Sequence, residues 1–133
     1  MEELVNYPVR GFVLRPIEEN AELGDIYSSI SFVAGTITNY LLEKLIPHNL
    51  IIADKGLTIY IIPRQHEDTY KPKSLRCAWL EIAGLALCRD EETYNNITKK
   101  SFEEILSNHV SLSEKEFGDI KEHIIAVFKK NYE

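Results

Sequence analysis

The sequence predicts an α+β domain: a mostly antiparallel sheet of about four strands, one long helix after the first strand, and two helices at the C-terminus. Three observations predict it. Apolar residues alternate at strand period over residues 7–15 and recur every three or four positions over residues 25–46, and two short apolar runs flank an Asp-Lys-Gly turn at Asp54, Lys55 and Gly56.

In the first strand, Tyr7, Val9, Gly11 and Val13 alternate with Arg10, Phe12 and Leu14. The long helix carries Ile26, Ile30, Val33, Ile37, Leu41 and Leu45 as one stripe, and Pro47 ends it. Gly35 weakens its middle but permits close packing on a sheet. The hairpin strands, residues 49–53 and 57–62, are apolar on both faces, so neither face of the sheet is fully solvated. Gly56 supplies the positive φ that such a turn favours. A polar loop at residues 66–73 leads to residues 74–90, again strand-like and apolar apart from Arg76 and Glu81. One helix follows over residues 91–108. Ser113 with Glu116 forms a capping box for the last helix, Leu112 staples to Phe117, and the stripe is Phe117, Ile120, Ile124, Val127 and Phe128. The order is β-α-β-β-β-α-α in a single domain over residues 1–133.

Composition excludes several functions. A net charge of −6 opposes a binder that tracks a nucleic-acid backbone, since nothing releases counterions from a phosphate polymer; a nucleotide needs only one or two local cations. No run approaches the length of a membrane span, and the acidic N-terminus lacks a signal-peptide layout, so a cytosolic location and no membrane partner are expected. Cys77 and Cys88 lack metal spacing and read as inert buried thiols, a disulfide or ligand being the alternatives. His48, His66, His109 and His123 contain no i,i+2 or i,i+4 pair, and there is no Gly-rich phosphate loop or Gly-x-Ser-x-Gly elbow. His109 and His123 read as surface residues, and His66 as a solvated loop residue or a ligand contact. No catalytic set assembles, and no cofactor or metal is expected.

Four positions carry binding chemistry. Arg64 follows a buried strand, where its guanidinium offers paired donors to a phosphate or its stem covers core. Glu81 interrupts an apolar run, so it turns outward or is buried with a partner or a task. Gly84 admits a close backbone or ligand approach, or marks a bulge. Arg10, beside Gly11, is the fourth.

The segments "NYPVRGFVL", "YLLEKLIPHNLIIADKGLTIYIIPRQ", "WLEIAG" and "VSLSEKEFGDIKEHI", in this order, resemble the C-terminal portion of the GDP-hexose phosphorylases, which include plant GDP-L-galactose and animal GDP-D-glucose phosphorylase. That family belongs to the histidine-triad superfamily, with galactose-1-phosphate uridylyltransferase and diadenosine tetraphosphate phosphorylase. The resemblance implies a histidine-triad-like fold. It also implies that the family's H-x-H-x-Q motif lies upstream of the matched portion, so that the nucleophilic histidine comes from another segment. Arg64 and Gln65 would then face a nucleotide-sugar site, with Glu81 and Gly84 on the adjoining strand. Arg64 would balance phosphate charge, Glu81 would accept hydrogen bonds from sugar or ribose hydroxyls, and Lys55 at the turn is a further candidate. The chain departs from the family where Ala53, Asp54, Lys55 and Gly56 stand for Ser-Asp-Cys-Gly, where Trp79 is displaced by one place from the Trp-Glu-Ile-Ser-Gly pattern, and where Leu85 replaces a histidine. The implied partners are a nucleotide-sugar or nucleotide, and either an N-terminal histidine-bearing segment or a homodimer partner. The two readings are a domain of a nucleotidyltransferase and a non-catalytic nucleotide-binding or dimerisation module.

Overall fold

The computed structural model describes residues 1–17, 20–66 and 79–132. Its strands are β1 (Glu2–Glu3), β2 (Phe12–Leu14), β3 (His48–Ala53) and β4 (Thr58–Pro63), joined antiparallel in the order β1-β2-β4-β3. The helices are α1 (Leu23–Glu43), α2 (Trp79–Ile82), α3 (Glu91–Asn96), α4 (Lys99–Ile105) and α5 (Glu114–Tyr132), with a wide turn over Leu106–Val110 between the last two. The α+β class, the antiparallel sheet of four strands and the long helix after the first strands all match the expectation.

Period-2 alternation sends the sheet's side chains into two cores. Phe12, Leu14, Ile59 and Ile61 face α1 and α5, where Ile30, Ala34, Ile37 and Leu41 of α1 meet Phe117, Ile120 and Ile124 of α5. The rings of Phe12 and Phe117 are tilted against each other with centroids 4.8 Å apart. Ile62 faces the other way and packs with Val9, Ile82, Leu106 and Val110. The apolar character of β4 on both faces therefore has a partner layer on each side.

Helix α1 follows its stripe up to Leu41 and then stops. Ile46 N–H donates to Leu41 O at 2.9 Å and Leu45 N–H to Leu42 O at 3.1 Å, the paired closure of a Schellman motif. Leu45, expected in the buried stripe, instead takes the left-handed position at φ 55° and is 80% exposed. The helix thus ends ahead of Pro47. At the β3–β4 turn Asp54, Lys55 and Gly56 have φ of 50°, 56° and 89°. Thr58 Oγ1 donates to Asp54 Oδ2 at 2.6 Å and Tyr27 OH to Lys55 O at 2.9 Å, which holds this strained backbone in place.

Three further expectations are corrected. The strand over residues 7–15 is confined to Phe12–Leu14: Leu4 N–H already bonds Gly11 O at 2.8 Å, so residues 5–10 form the connection between β1 and β2, with Asn6 at φ 55°. The strand-like stretch 74–90 is not a strand where it is described. Trp79–Ile82 is a helical turn, closed by Gly84 N–H on Glu81 O at 3.0 Å with Gly84 at φ 105°, and the sheet's fourth strand is Glu2–Glu3. A continuous apolar run does not distinguish the two structures. The single helix over residues 91–108 is divided, because Thr98 and Ser101 form a capping box that begins α4 and leaves Ile97 extended. The box at the start of α5 is as expected: Ser113 Oγ accepts from Glu116 N–H at 3.1 Å and Glu116 Oε2 from Ser113 N–H at 3.4 Å. Cys88 is half-buried with a free thiol, and Cys77 and the loop at residues 67–73 lie outside the described residues.

Leu45 makes a direct test. A glycine has no steric cost at positive φ, and little burial is lost, so Leu45→Gly is expected to raise the unfolding free energy by about 1 kcal/mol in urea titrations. A loss of stability would refute the closure described.

Candidate functional site

Strand β4 is buried along its length and delivers the next two residues to the surface. Arg64 N–H donates to Pro47 O at 2.8 Å, and Arg64 Nε donates to Asn49 Oδ1 at 2.7 Å. Asn49 is the cross-strand partner of Ile62, so Arg64 lies on the sheet face that carries α2. Gln65 N–H donates to Val110 O at 2.9 Å, and its Nε2 to Ser111 O at 2.8 Å. One isolated antiparallel bridge, Arg64 with Ser111, and the Gln65 side chain thus fasten the end of β4 to the end of the wide turn after α4.

Ser111 is the centre of this arrangement. It is buried, its Oγ accepts from Arg10 N–H at 2.9 Å, and it donates to Leu112 O at 3.1 Å. Ser107 Oγ donates to Pro8 O at 2.9 Å, and Tyr7 OH donates to Ile82 O. The loop of residues 5–10 is therefore clamped between the wide turn and α2. Gly11 lets it do so: a Cβ there would stand 3.1 Å from Ile61 O and 3.0 Å from the Ile62 side chain.

These contacts enclose a cleft of about 390 Å³ whose walls include Tyr7, Arg10, Gln65, Asn108, Ser111 and Ser113. Its lining is rich in hydroxyl and amide groups with one guanidinium, a set suited to a hydroxylated or phosphorylated ligand. Of the residues expected at a site, Arg10 and Gln65 line this cleft, and Arg64 adjoins Gln65. Glu81 is 3% exposed on α2, beside Ile82, whose carbonyl holds Tyr7. No buried polar side-chain atom among the described residues lacks a partner, so the Glu81 carboxylate is satisfied where it lies. Gly84 closes α2 at positive φ and a Cβ there would meet nothing within 4 Å, so its glycine is explained by backbone conformation rather than by a close approach. Lys55 is at the other end of β4 from Arg64, a strand length of roughly 20 Å away. Tyr7, Asn108 and Ser111 were not singled out from the sequence, although Tyr7 and Ser111 stand inside two of the resembling segments.

A second cavity, about 460 Å³, lies at the start of α1 between Leu14, Arg15, Ile17, Asp25 and Ile30, and holds none of the expected residues. Among the described residues no group of three His, Cys, Asp or Glu side chains could hold a metal ion, and no helix is long and apolar enough to cross a membrane.

Burial raises the Tyr7 phenol above its ordinary value of 10.0. The folded state holds this proton more tightly than the unfolded chain. Its contribution is therefore fully present below the unfolded value and lost as pH rises through the folded one. Tyr7→Phe is expected to narrow the stability difference measured by urea unfolding at about pH 8 and about pH 11; an unchanged difference would remove the phenol's role in holding the loop.

Over 127 residues the chain is 25% identical to GDP-L-galactose phosphorylase 2 of Arabidopsis thaliana, a match covering 89% of this chain and 28% of that protein. It spans little more than a quarter of that relative's length. No solved structure matches it with significance. The family model described as "GDPGP1-like, C-terminal domain" matches residues 1–131, and the chain belongs to that family.

Proposed function

We propose that this domain forms one wall of a nucleotide-sugar site in a GDP-hexose phosphorylase-type nucleotidyltransferase, and that the reactive histidine reaches the site from another segment. The family match over residues 1–131 carries this reading. The similar Arabidopsis thaliana protein is by name a GDP-sugar phosphorylase. In such a reaction an imidazole nitrogen attacks the α-phosphorus and the bond to the hexose 1-phosphate oxygen breaks. An oxygen of inorganic phosphate then displaces the imidazole, giving GDP. The four histidines of this chain contain no H-x-H pair to supply that nitrogen.

What this chain's residues would contribute is positioning and charge. Arg64 and Arg10 would offset phosphate charge, and Gln65 would donate to a phosphate or sugar oxygen. Glu81 would accept from a sugar or ribose hydroxyl once its present partner exchanges. Gly84 ends the helix that sets Glu81 in place. Lys55, a strand length distant, has no role in this scheme. The partner under this reading is the histidine-bearing segment, in a soluble cytoplasmic setting. A second reading is a non-catalytic module of the same fold whose partner is a second copy of the chain; the exposed Leu50 and Ile52 on β3 favour it.

The test is reconstitution. Mixing this chain with the remaining portion of the Arabidopsis thaliana relative, which under this reading brings the histidine, is expected to give phosphate-dependent release of GDP from a GDP-hexose. Arg64→Ala should lower that rate, or GDP affinity by calorimetry, at least about tenfold, and Arg64→Lys should recover part of it. Association without turnover, together with GDP binding indifferent to both variants, would overturn the proposal.

A further inference from the structure

The two edges of the sheet are built in opposite ways. The β1 edge is two exposed glutamates long, and a short, charged edge resists pairing with another chain. The β3 edge is six residues, "HNLIIA", with no lysine, proline or bulge, and among the described residues no strand pairs with it. Arg64 N–H donates to Pro47 O, which fixes the phase of the ladder. Asn49, Ile51 and Ala53 direct their backbone groups at β4, whereas His48, Leu50 and Ile52 direct theirs outward. The outward set also carries the exposed apolar side chains, Leu50 at 46% and Ile52 at 62%. Tyr27, bonded to Lys55 O, marks the flank of α1 that overhangs the hairpin. Leu42, fifteen residues further on, lies about 60° round from it. Leu42 is exposed as well.

We propose that β3 pairs antiparallel with β3 of a second copy of this chain, about a two-fold axis through Ile51, extending the four-stranded sheet to eight. The register is set by the outward-facing groups: both members of a hydrogen-bonded pair must come from residues 48, 50 or 52. With the axis at Ile51, Leu50 of each copy opposes Ile52 of the other, so four exposed aliphatic side chains cover one another. The same register brings His48 of each copy beside the turn that carries Asp54 of the other. Asp54 Oδ2 already accepts from Thr58, which leaves Oδ1 for a contact with that histidine. The surface is thus complementary to itself in backbone, apolar strip and the imidazole and carboxylate at its two ends, as an isologous interface requires. The pairing rests on the second-copy reading above and is independent of the nucleotide site.

Sedimentation velocity and light scattering over rising concentration test it, with hydrogen exchange read residue by residue. A dimer is expected. Ile52→Lys, at an exposed side chain, should weaken it at least about tenfold while thermal unfolding of the monomer stays unchanged. Leu87→Lys, at another exposed leucine, should leave it intact. The amides of Leu50 and Ile52 should gain protection as concentration rises, while that of Ile51 is protected throughout. A chain that stays monomeric overturns both this pairing and the second-copy reading. A dimer that survives Ile52→Lys, with the Leu50 and Ile52 amides still exchanging fast, overturns the β3 surface alone.

Discussion

Strand β4 constrains the rest of the molecule. It has hydrogen-bonded neighbours on both sides over Ile59, Tyr60 and Ile61 and a covered surface on both faces, so the isoleucines are called for in both phases of the pleat. Ile59 and Ile61 belong to the core beneath α1 and α5, and Ile62 to the core beneath α2 and the wide turn. A strand held in this way cannot shift register by one residue without exchanging the two cores. That rigidity makes the positions after it, Arg64 and Gln65, reproducible in space.

Much of this could be read from the chain because local and long-range signals agree. The α1 stripe as far as Leu41, the positive φ of Gly56 in the Asp-Lys-Gly turn and the Ser113–Glu116 box each join a local pattern to a terminator or cap, and each appears as read. The failures share the opposite property. Over residues 74–90 the apolar run has no period, and the decisive feature is the φ of 105° at Gly84, which a sequence states only as a glycine. The division of the helix at Ile97 depends on Thr98 and Ser101 bonding one another's backbone in preference to the helix ladder. Leu45 fits the helical stripe by spacing, yet the Schellman closure takes it out of the core.

The candidate site divides along similar lines. Arg64 was singled out from the strand's end and Gln65 from the resemblance, and the fold puts Gln65 on the cleft wall with Arg64 beside it. Arg10 was legible as a lone cation beside a glycine. Lys55, offered by the resemblance, lies at the other end of the hairpin from Arg64, a matter of strand length rather than residue type. Tyr7, Asn108 and Ser111 were not legible, since their place on the cleft wall follows from the crossing of the loop at residues 5–10 with the wide turn, and no local pattern encodes a crossing.

Ser111 holds together stretches of chain that are remote in sequence: Arg10 lies 101 positions before it and Gln65 lies 46 before it. Closing loops of that size is entropically costly, and no short piece of the polypeptide contains both walls of the cleft. The pocket is therefore a collective property of the native state. It should open or vanish with the cooperative transition of the domain as a whole, so that whatever lodges there reports on, and is reported by, the integrity of the entire fold.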